Sequence, residues 1–434
     1  MAAWRRRESS CQGESDRGAA LNKRRYTQWA AGLLTLGVLS APGAWALTLA
    51  EAVHQGLAIH PAVSAAEAEA MEAATQVGIA RDGYWPNLQA SAGPENSLWG
   101  DVGYDITAAQ MLYDWGRVRS RVENAEAAQR QRLEALKATS DEAALDIVET
   151  YLDVLHATQR LVVVDAHIER LEALAGVSRR RSQGGFVGRG EVERVELELA
   201  RAGEQRSLAR GDLRDAALQF RELVERSPEA LDWPSPPPWL EALRRPERLE
   251  AALEEAPLLG QAREALHAAR AEARERRAAR LPQLNLEGSL LRREIGGRME
   301  EDAVVALRLR MEPLQGLSSA RQVTAAQQRI EAAQWSRHAT RRDLRRQLAS
   351  LLELDEMIGW RLQAVEAQLA SADEVAVAYQ EQFEVGLRDI ADLLTVARDR
   401  FEAKRQHTDL QTERLRIPYR AAAQLGQLAV LLEK

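Results

Sequence analysis

The chain has 434 residues, 45% hydrophobic, 28% charged and only 5% aromatic, with 58 basic side chains against 65 acidic ones. Alanine, leucine, glutamate, arginine and glutamine dominate, a mixture that builds long helices rather than a compact mixed core. The net charge of −7 argues against nucleic acid as a partner.

Residues 1–46 read as an export signal. Lys23, Arg24 and Arg25 supply a basic region, residues 29–39 an apolar run, and Ala44 and Ala46 the small residues expected before a cleavage point. The single cysteine, Cys11, leaves with this segment, so disulfides and thiolate metal sites are not expected in the mature chain. Setting aside its seven basic and three acidic residues leaves 51 against 62, a balance of −11. No later stretch approaches the ~18 consecutive apolar residues of a spanning helix. A membrane role must therefore use strands.

The rest of the chain divides into a first repeat at 47–226, a connector at 227–246 and a second repeat at 247–434. Leu57, Pro61 and Ala66 match Leu253, Pro257 and Ala262 at an offset of 196, and Pro86 with Leu88 match Pro282 with Leu284. Gly116 meets Gly316 at an offset of 200, and the late turns "FVG" and "EVG" pair Gly188 with Gly386 at 198. Internal repetition of this kind means two copies of one architecture.

Each repeat opens with a helix, expected over 49–81 and 249–280, ending shortly before a proline. Two strands follow, at about 86–113 and about 282–312. The clearest is "VVALRLRM", which sets Val305, Leu307, Leu309 and Met311 on one face and Ala306, Arg308 and Arg310 on the other. A helix of ~100 Å is then expected over 116–182 and 316–382. Ile147, Val154, Leu161 and Ile168 form one apolar seam, and Val148, Tyr151, Leu155 and Val162 a second, so this helix needs two neighbours. Tip turns at about 183–190 and about 383–389 reverse the chain into a returning helix. The connector holds six prolines between Pro228 and Pro246, which cannot continue a helix.

Four amphipathic strands are too few, because membrane barrels start at about eight strands and lipid does not tolerate open strand edges. Several copies must pool their strands. The glycine turns, for their part, resemble phosphate-cradling loops only superficially. Neither has the Gly-Lys-Ser/Thr that such a loop needs to reach phosphate and Mg²⁺. The seven histidines are scattered without a metal-ligand spacing, and no nucleophile elbow is present, so neither an enzyme nor a cofactor is expected.

The ordered set of export signal, four strands in two hairpins, long helical hairpins and duplicated "PxL…G…VG" pattern resembles the TolC family of outer-membrane channel proteins. The resemblance implies a mainly α fold with a transmembrane β-barrel. Three protomers would form a twelve-strand barrel and a twelve-helix α-barrel tunnel in a Gram-negative outer membrane, with a long periplasmic portion. It implies a homotrimer working with a periplasmic adaptor and an inner-membrane ABC transporter or another efflux pump.

Gly188, Gly386, Phe186 and Phe383 then fall at the periplasmic tips, where Gly188 and Gly386 would permit the reversal. They equally fit an ordinary helix-hairpin turn. Arg388 falls where such channels place a basic latch residue, Asp392 at an inward acidic ring, and Phe383 at a latch tyrosine whose hydroxyl it lacks. Glu193 and Arg194 stand at the partner positions, which implies an Arg388–Glu193 pair. Tyr84, Trp85, Tyr113 and Trp115 flank the first strand pair as a membrane-interface girdle would, or simply pack where strand meets helix.

Lipoprotein members carry Cys after the signal. Here Leu47 stands there, which leans towards the type I secretion branch, as does the segment "DIVETYLDVLHATQRLVVVDAHIERLEALAGVSRRR". The alternatives are a drug-efflux channel or a periplasmic coiled-coil adaptor without a pore.

Overall fold

Prolines decide how each repeat begins. In the computed structural model, which describes residues 47–94, 102–235, 237–295, 298–311 and 318–432, the opening helix is two helices in both halves. In the first, α1 (Leu49–Ile59) stops at His60 and α2 (Pro61–Asp82) restarts. In the second, α5 (Pro246–Glu255) stops at Ala256 and α6 (Pro257–Ala278) restarts. This corrects the single helices expected over 49–81 and 249–280. His60 and Ala256, each preceding a proline, take extended ψ values of 119° and 132° because the proline ring excludes the helical region. Both α2 and α6 then run 22 residues.

The export segment 1–46 and Gly316 lie outside the described residues.

Four strands form one antiparallel sheet in the order β1 (Asn87–Pro94), β2 (Val102–Tyr113), β3 (Gln283–Ile295), β4 (Arg298–Arg310). The two repeats thus join through β2 and β3, and β1 and β4 are left as edges. Register explains the alternation. Leu88 pairs with Ala108, Ile106 with Leu290, Leu286 with Leu307 and Leu284 with Leu309, which puts these side chains on one face across all four strands. Gln89, Thr107, Ser289, Glu287 and Arg308 share the opposite face. A bulge at Leu112 brings Tyr113 opposite Leu284 and so onto the apolar face.

The long helices α3 (Arg117–Gln183) and α7 (Ser318–Glu384) are both 67 residues, ~100 Å at the usual rise. Returning helices α4 (Arg189–Val224) and α8 (Ile390–Gln424) follow, and a short α9 (Leu428–Leu432) closes the chain. Near the sheet α3 lies between α2 and α6, and α6 between α3 and α7. Towards the tips α3 touches α4 and α8, and α8 touches α7. The lateral edges of this layer are therefore α2 with α4 on one side and α7 on the other.

Halfway along, the core is densest. Ile147, Val148, Tyr151 and Leu152 of α3 pack against Ala52 and Val53 of α1 and Phe220 of α4. Of the two seams expected on α3, Val162 alone among the named residues is more than half exposed, at 54%. Gly56 lets α1 approach closely, since a Cβ there would stand 2.5 Å from Ile147 Cδ1. The connector is stitched here too. Tyr151 Oη donates to the carbonyls of Leu47 and Asp232 at 2.8 Å each, and Leu47 bridges to Leu231. Within the connector Pro238–Arg244 form a 3-10 helix rather than extended chain alone. A second cluster places Leu253, Leu259, Leu344, Leu348 and Ile358 around α5 and α6.

Candidate functional site

Both hairpin tips close with the same backbone bonds. At the first, Gly185 N–H donates to the Ser182 carbonyl at 3.1 Å and Phe186 N–H to that of Arg181 at 3.0 Å. At the second, Gly386 N–H donates to Phe383 at 3.1 Å and Leu387 N–H to Gln382 at 2.9 Å. This is a glycine-terminated helix end in which the residue after the helix turns left-handed. Gly185 has φ +75° and Gly386 φ +80°.

Gly188 does not do what the sequence suggested. Its φ is −77° and ψ 162°, extended backbone open to any residue, and it serves as the N-cap of α4. The structural partner of Gly386 is Gly185, at an offset of 201, the same offset that relates α3 to α7 and α4 to α8. The pattern "VG" attracted the alignment, and the real counterpart lay three residues earlier.

The tip side chains diverge. Phe186 is 80% exposed, as are Val385 and Leu387 at 71% and 76%, whereas Phe383 is 3% exposed. Phe383 packs with Leu171, Val195 and Ile390, and the Arg181 guanidinium sits 4.3 Å over its ring. Arg388 donates from Nε to Gln382 Oε1 at 3.0 Å and from Nη1 to Asp392 Oδ2 at 3.2 Å, and its guanidinium lies 4.1 Å over Tyr379. The expected Arg388–Glu193 pair is not formed within the protomer. Asp392, in the first turn of α8 four residues after Arg388 of the tip turn, captures the guanidinium locally, while Glu193 of α4 is exposed. Asp389 caps α8, accepting from Ala391 N at 2.7 Å and Asp392 N at 3.2 Å.

Two residues passed over in the sequence matter here. Tyr379, one turn before Phe383, supplies the aromatic face that Arg388 uses. Glu198 links the hairpins by accepting from Arg398 at 2.6 Å. Helical spacing from Phe383 could have found the first, but no local signal marks the second.

Further up, the His167 imidazole stacks on Phe401 at 4.4 Å, and burial, aided by Arg170, pushes its pKa down to about 4. Asp141 is buried where α9 begins. It accepts from Ala429 N at 2.8 Å, yet burial raises its pKa to about 6. A cluster of ions joins α3 to α8. Arg416 contacts Glu149 and, at 2.6 Å, Asp153, and Arg420 meets Glu149 and Glu413 at 2.6 Å each.

At the sheet the apolar face stands bare. Leu88, Val305, Leu307 and Leu309 are 63–80% exposed, a contiguous apolar patch of the kind that marks a protein-protein or membrane contact. On the other face Glu287 is 4% exposed and pairs with Arg308, at 3.2 Å, and with Arg310. Tyr84, Trp85, Tyr113 and Trp115 are all exposed at one end of the sheet. Trp115 also stitches the repeats. With φ +59° it turns the chain from β2 into α3, and its Nε1 donates to the Pro282 carbonyl at 3.0 Å. Among the described residues no helix is long and apolar enough to cross a membrane, and no three metal-binding side chains cluster.

Residues 52–224 and 249–427, segments that coincide with the two repeats, match the outer membrane efflux protein family. The chain belongs to that family. Protein CyaE of Bordetella pertussis is 24% identical over 253 residues, 55% of this chain and 53% of that protein. The chain thus spans about half the length of the curated relative it matches.

Among solved structures, the outer membrane protein VceC of Vibrio cholerae superposes with a TM-score of 0.75 at 14% identity, covering 87% of this chain and 96% of that one. The MtrE outer membrane channel of Neisseria gonorrhoeae in its open state gives 0.70 at 19%, covering 88% and 89%. At such identities the likeness concerns the fold. The TolC-type resemblance read from the sequence holds at the level of family, and this family and its solved members are channels rather than enzymes.

Proposed function

We propose that three copies of this chain assemble into the outer-membrane exit duct of a type I protein secretion system. The observation that carries the reading is the four-stranded sheet, open at both β1 and β4, one face of which is an apolar band from Leu284 and Leu309 to Leu290 and Ala303, with Arg292 and Glu301 beyond it at the hairpin end. Bare edges cannot stand in lipid. Edge-to-edge pairing of β4 with β1 of the next copy closes a twelve-strand barrel, its apolar face towards lipid and the Glu287–Arg308–Arg310 face towards the lumen. The same rotation sets the α7 edge of one copy against the α2 and α4 edge of the next, giving a twelve-helix tunnel below.

In this arrangement the tips form the inner mouth, where Arg388 and Asp392 constrict the passage and an adaptor with an inner-membrane ABC transporter delivers cargo. Tyr84, Trp85, Tyr113 and Trp115 mark the lower lipid interface. The secretion branch is favoured by Leu47 standing where a lipoprotein would carry cysteine. Small-molecule efflux is the second reading, favoured by the efflux family to which the chain belongs.

Purified protein in planar bilayers tests the pore. A stable conductance from detergent-resistant trimers is expected, and a silent, water-soluble monomer would overturn the reading. Deleting the gene separates the branches. Loss of a large secreted protein with unchanged drug susceptibility supports secretion, and the converse supports efflux.

A further inference from the structure

Near the tips, three helices enclose a cleft of about 220 Å³. Each contributes one stripe at helical spacing. The cleft's walls include Arg170 and Val177 of α3, Tyr379 and Phe383 of α7, and Val396 and Arg400 of α8. Because α3 runs towards the tip and α8 away from it, Arg170 and Arg400 meet at the same end of the cleft. Towards the tip Leu174, Val177, Leu393 and Phe383 supply apolar walls, with Gln380 and Glu384 on the α7 side.

The two arginines are not equivalent. Arg400 is paired with Asp373 of α7. Arg170 is half-buried and, among the described residues, makes no hydrogen bond or ion pair of its own. Asp373 is already engaged by Arg400, and Glu169, its neighbour in sequence, is exposed. Burial and the nearby Arg400 charge lower the Arg170 pKa by more than Asp373 and Glu169, neither within ion-pair distance of it, raise it. Half-burying a guanidinium without a partner costs stability.

We infer that this cleft is a binding site for a small amphiphile with one anionic head and an unbranched apolar tail, of the medium-chain carboxylate class. The carboxylate docks on Arg170, where a planar fork of donors matches it in two-point fashion. The tail runs along the Ala173–Val177 face of α3 towards Phe383, a rise of ~10 Å from Arg170, suited to roughly eight to ten carbons. The occupant touches the first hairpin through α3 and the second through α7 and α8. It therefore adds to the links that already join the two hairpins at this level, the apolar cluster of Leu171, Val195, Ile390 and Leu394, Glu198–Arg398 and Arg181–Phe383. The site lies within one protomer and stands independently of the secretion reading.

The test uses full-length protein in lipid nanodiscs, titrated calorimetrically with decanoate against empty nanodiscs. Saturable binding is expected. Arg170→Met should weaken it about tenfold, as loss of a charge-assisted contact does, while melting no lower than the parent because no native pair is broken. Ala173→Leu should block the tail path with both arginines intact. Decylamine, which reverses the head charge, should not bind. Decanoate bound equally by the parent, Arg170→Met and Ala173→Leu would overturn the inference, as would equal binding of decylamine or no heat above the empty nanodisc.

Discussion

The two hairpin tips share a backbone and differ in almost everything attached to it. Gly185 and Gly386 reverse the chain with the same pair of hydrogen bonds and nearly the same φ. The first tip, however, ends in an exposed Phe186 and a bare Gly188 N-cap, its arms joined by Arg179–Glu196 at 3.6 Å and Ser178–Glu191 at 3.4 Å. At the second, Phe383 is buried, Asp389 caps α8, and Arg388 is held by Gln382, Asp392 and Tyr379. Duplication preserved the geometry of reversal and left the side chains free to specialise. The second tip is tied within the turn itself, the first only along the arms behind it.

The same asymmetry runs through the cores, where the largest effects are expected. Leu57 and Leu253 occupy matching positions, but Leu253 is fully buried and Leu57 only partly. Leu253→Ala should cost about 2–5 kcal/mol and Leu57→Ala less than half of that, read from thermal unfolding in detergent. Equal losses would break the comparison.

Gly56 corresponds to Ala252. In the first repeat a Cβ would clash with Ile147, so Gly56→Ala should destabilise by about 1–3 kcal/mol, although alanine is the native residue in the second repeat. Unfolding of that single variant decides the point.

At the tips, Asp389→Ala should cost about 1 kcal/mol by uncapping α8, and Gly188→Ala somewhat less, because glycine at an N-cap ranks a little below aspartate and well above alanine. Arg388→Ala and Asp392→Ala should raise single-channel conductance to a similar degree, and Glu193→Ala should leave it unchanged. Matching responses to Glu193→Ala and Arg388→Ala, with Asp392→Ala silent, would restore the pairing expected from sequence, formed between copies rather than within one.

The remaining effect is pH-dependent. Asp141 has a folded pKa near 6, above its ordinary value of 3.8, so the folded state holds the proton more tightly. Its cost to stability is therefore full above pH 6 and relieved as pH falls towards 4. Asp141→Asn should be more stable than the parent at pH 8, with the gap closing through that window. His167, held down at about 4 from 6.5, has the opposite sign: its neutral form favours folding above pH 6.5, and that stability is lost as pH falls. Comparing Asp141→Asn with the parent at each pH cancels the His167 contribution.

Much of this architecture was legible in the residues. The duplication, the count of strands, the alternation of Val305, Leu307 and Leu309, and the span of each long helix follow from periodicity, which each backbone imposes over a few neighbouring residues. The breaks at Pro61 and Pro257 were equally local and could have been read. What sequence could not decide was whatever depends on how one helix is turned against another. The register in which Gly185, not Gly188, answers Gly386 is of this kind. So are Asp392 rather than Glu193 beside Arg388, Glu198 beneath Arg398, and Arg170 facing an apolar cleft. A repeat pattern states which side of a helix is apolar. Only packing sets its rotation and advance along a neighbour, and a few ångströms of either decide which charge meets which.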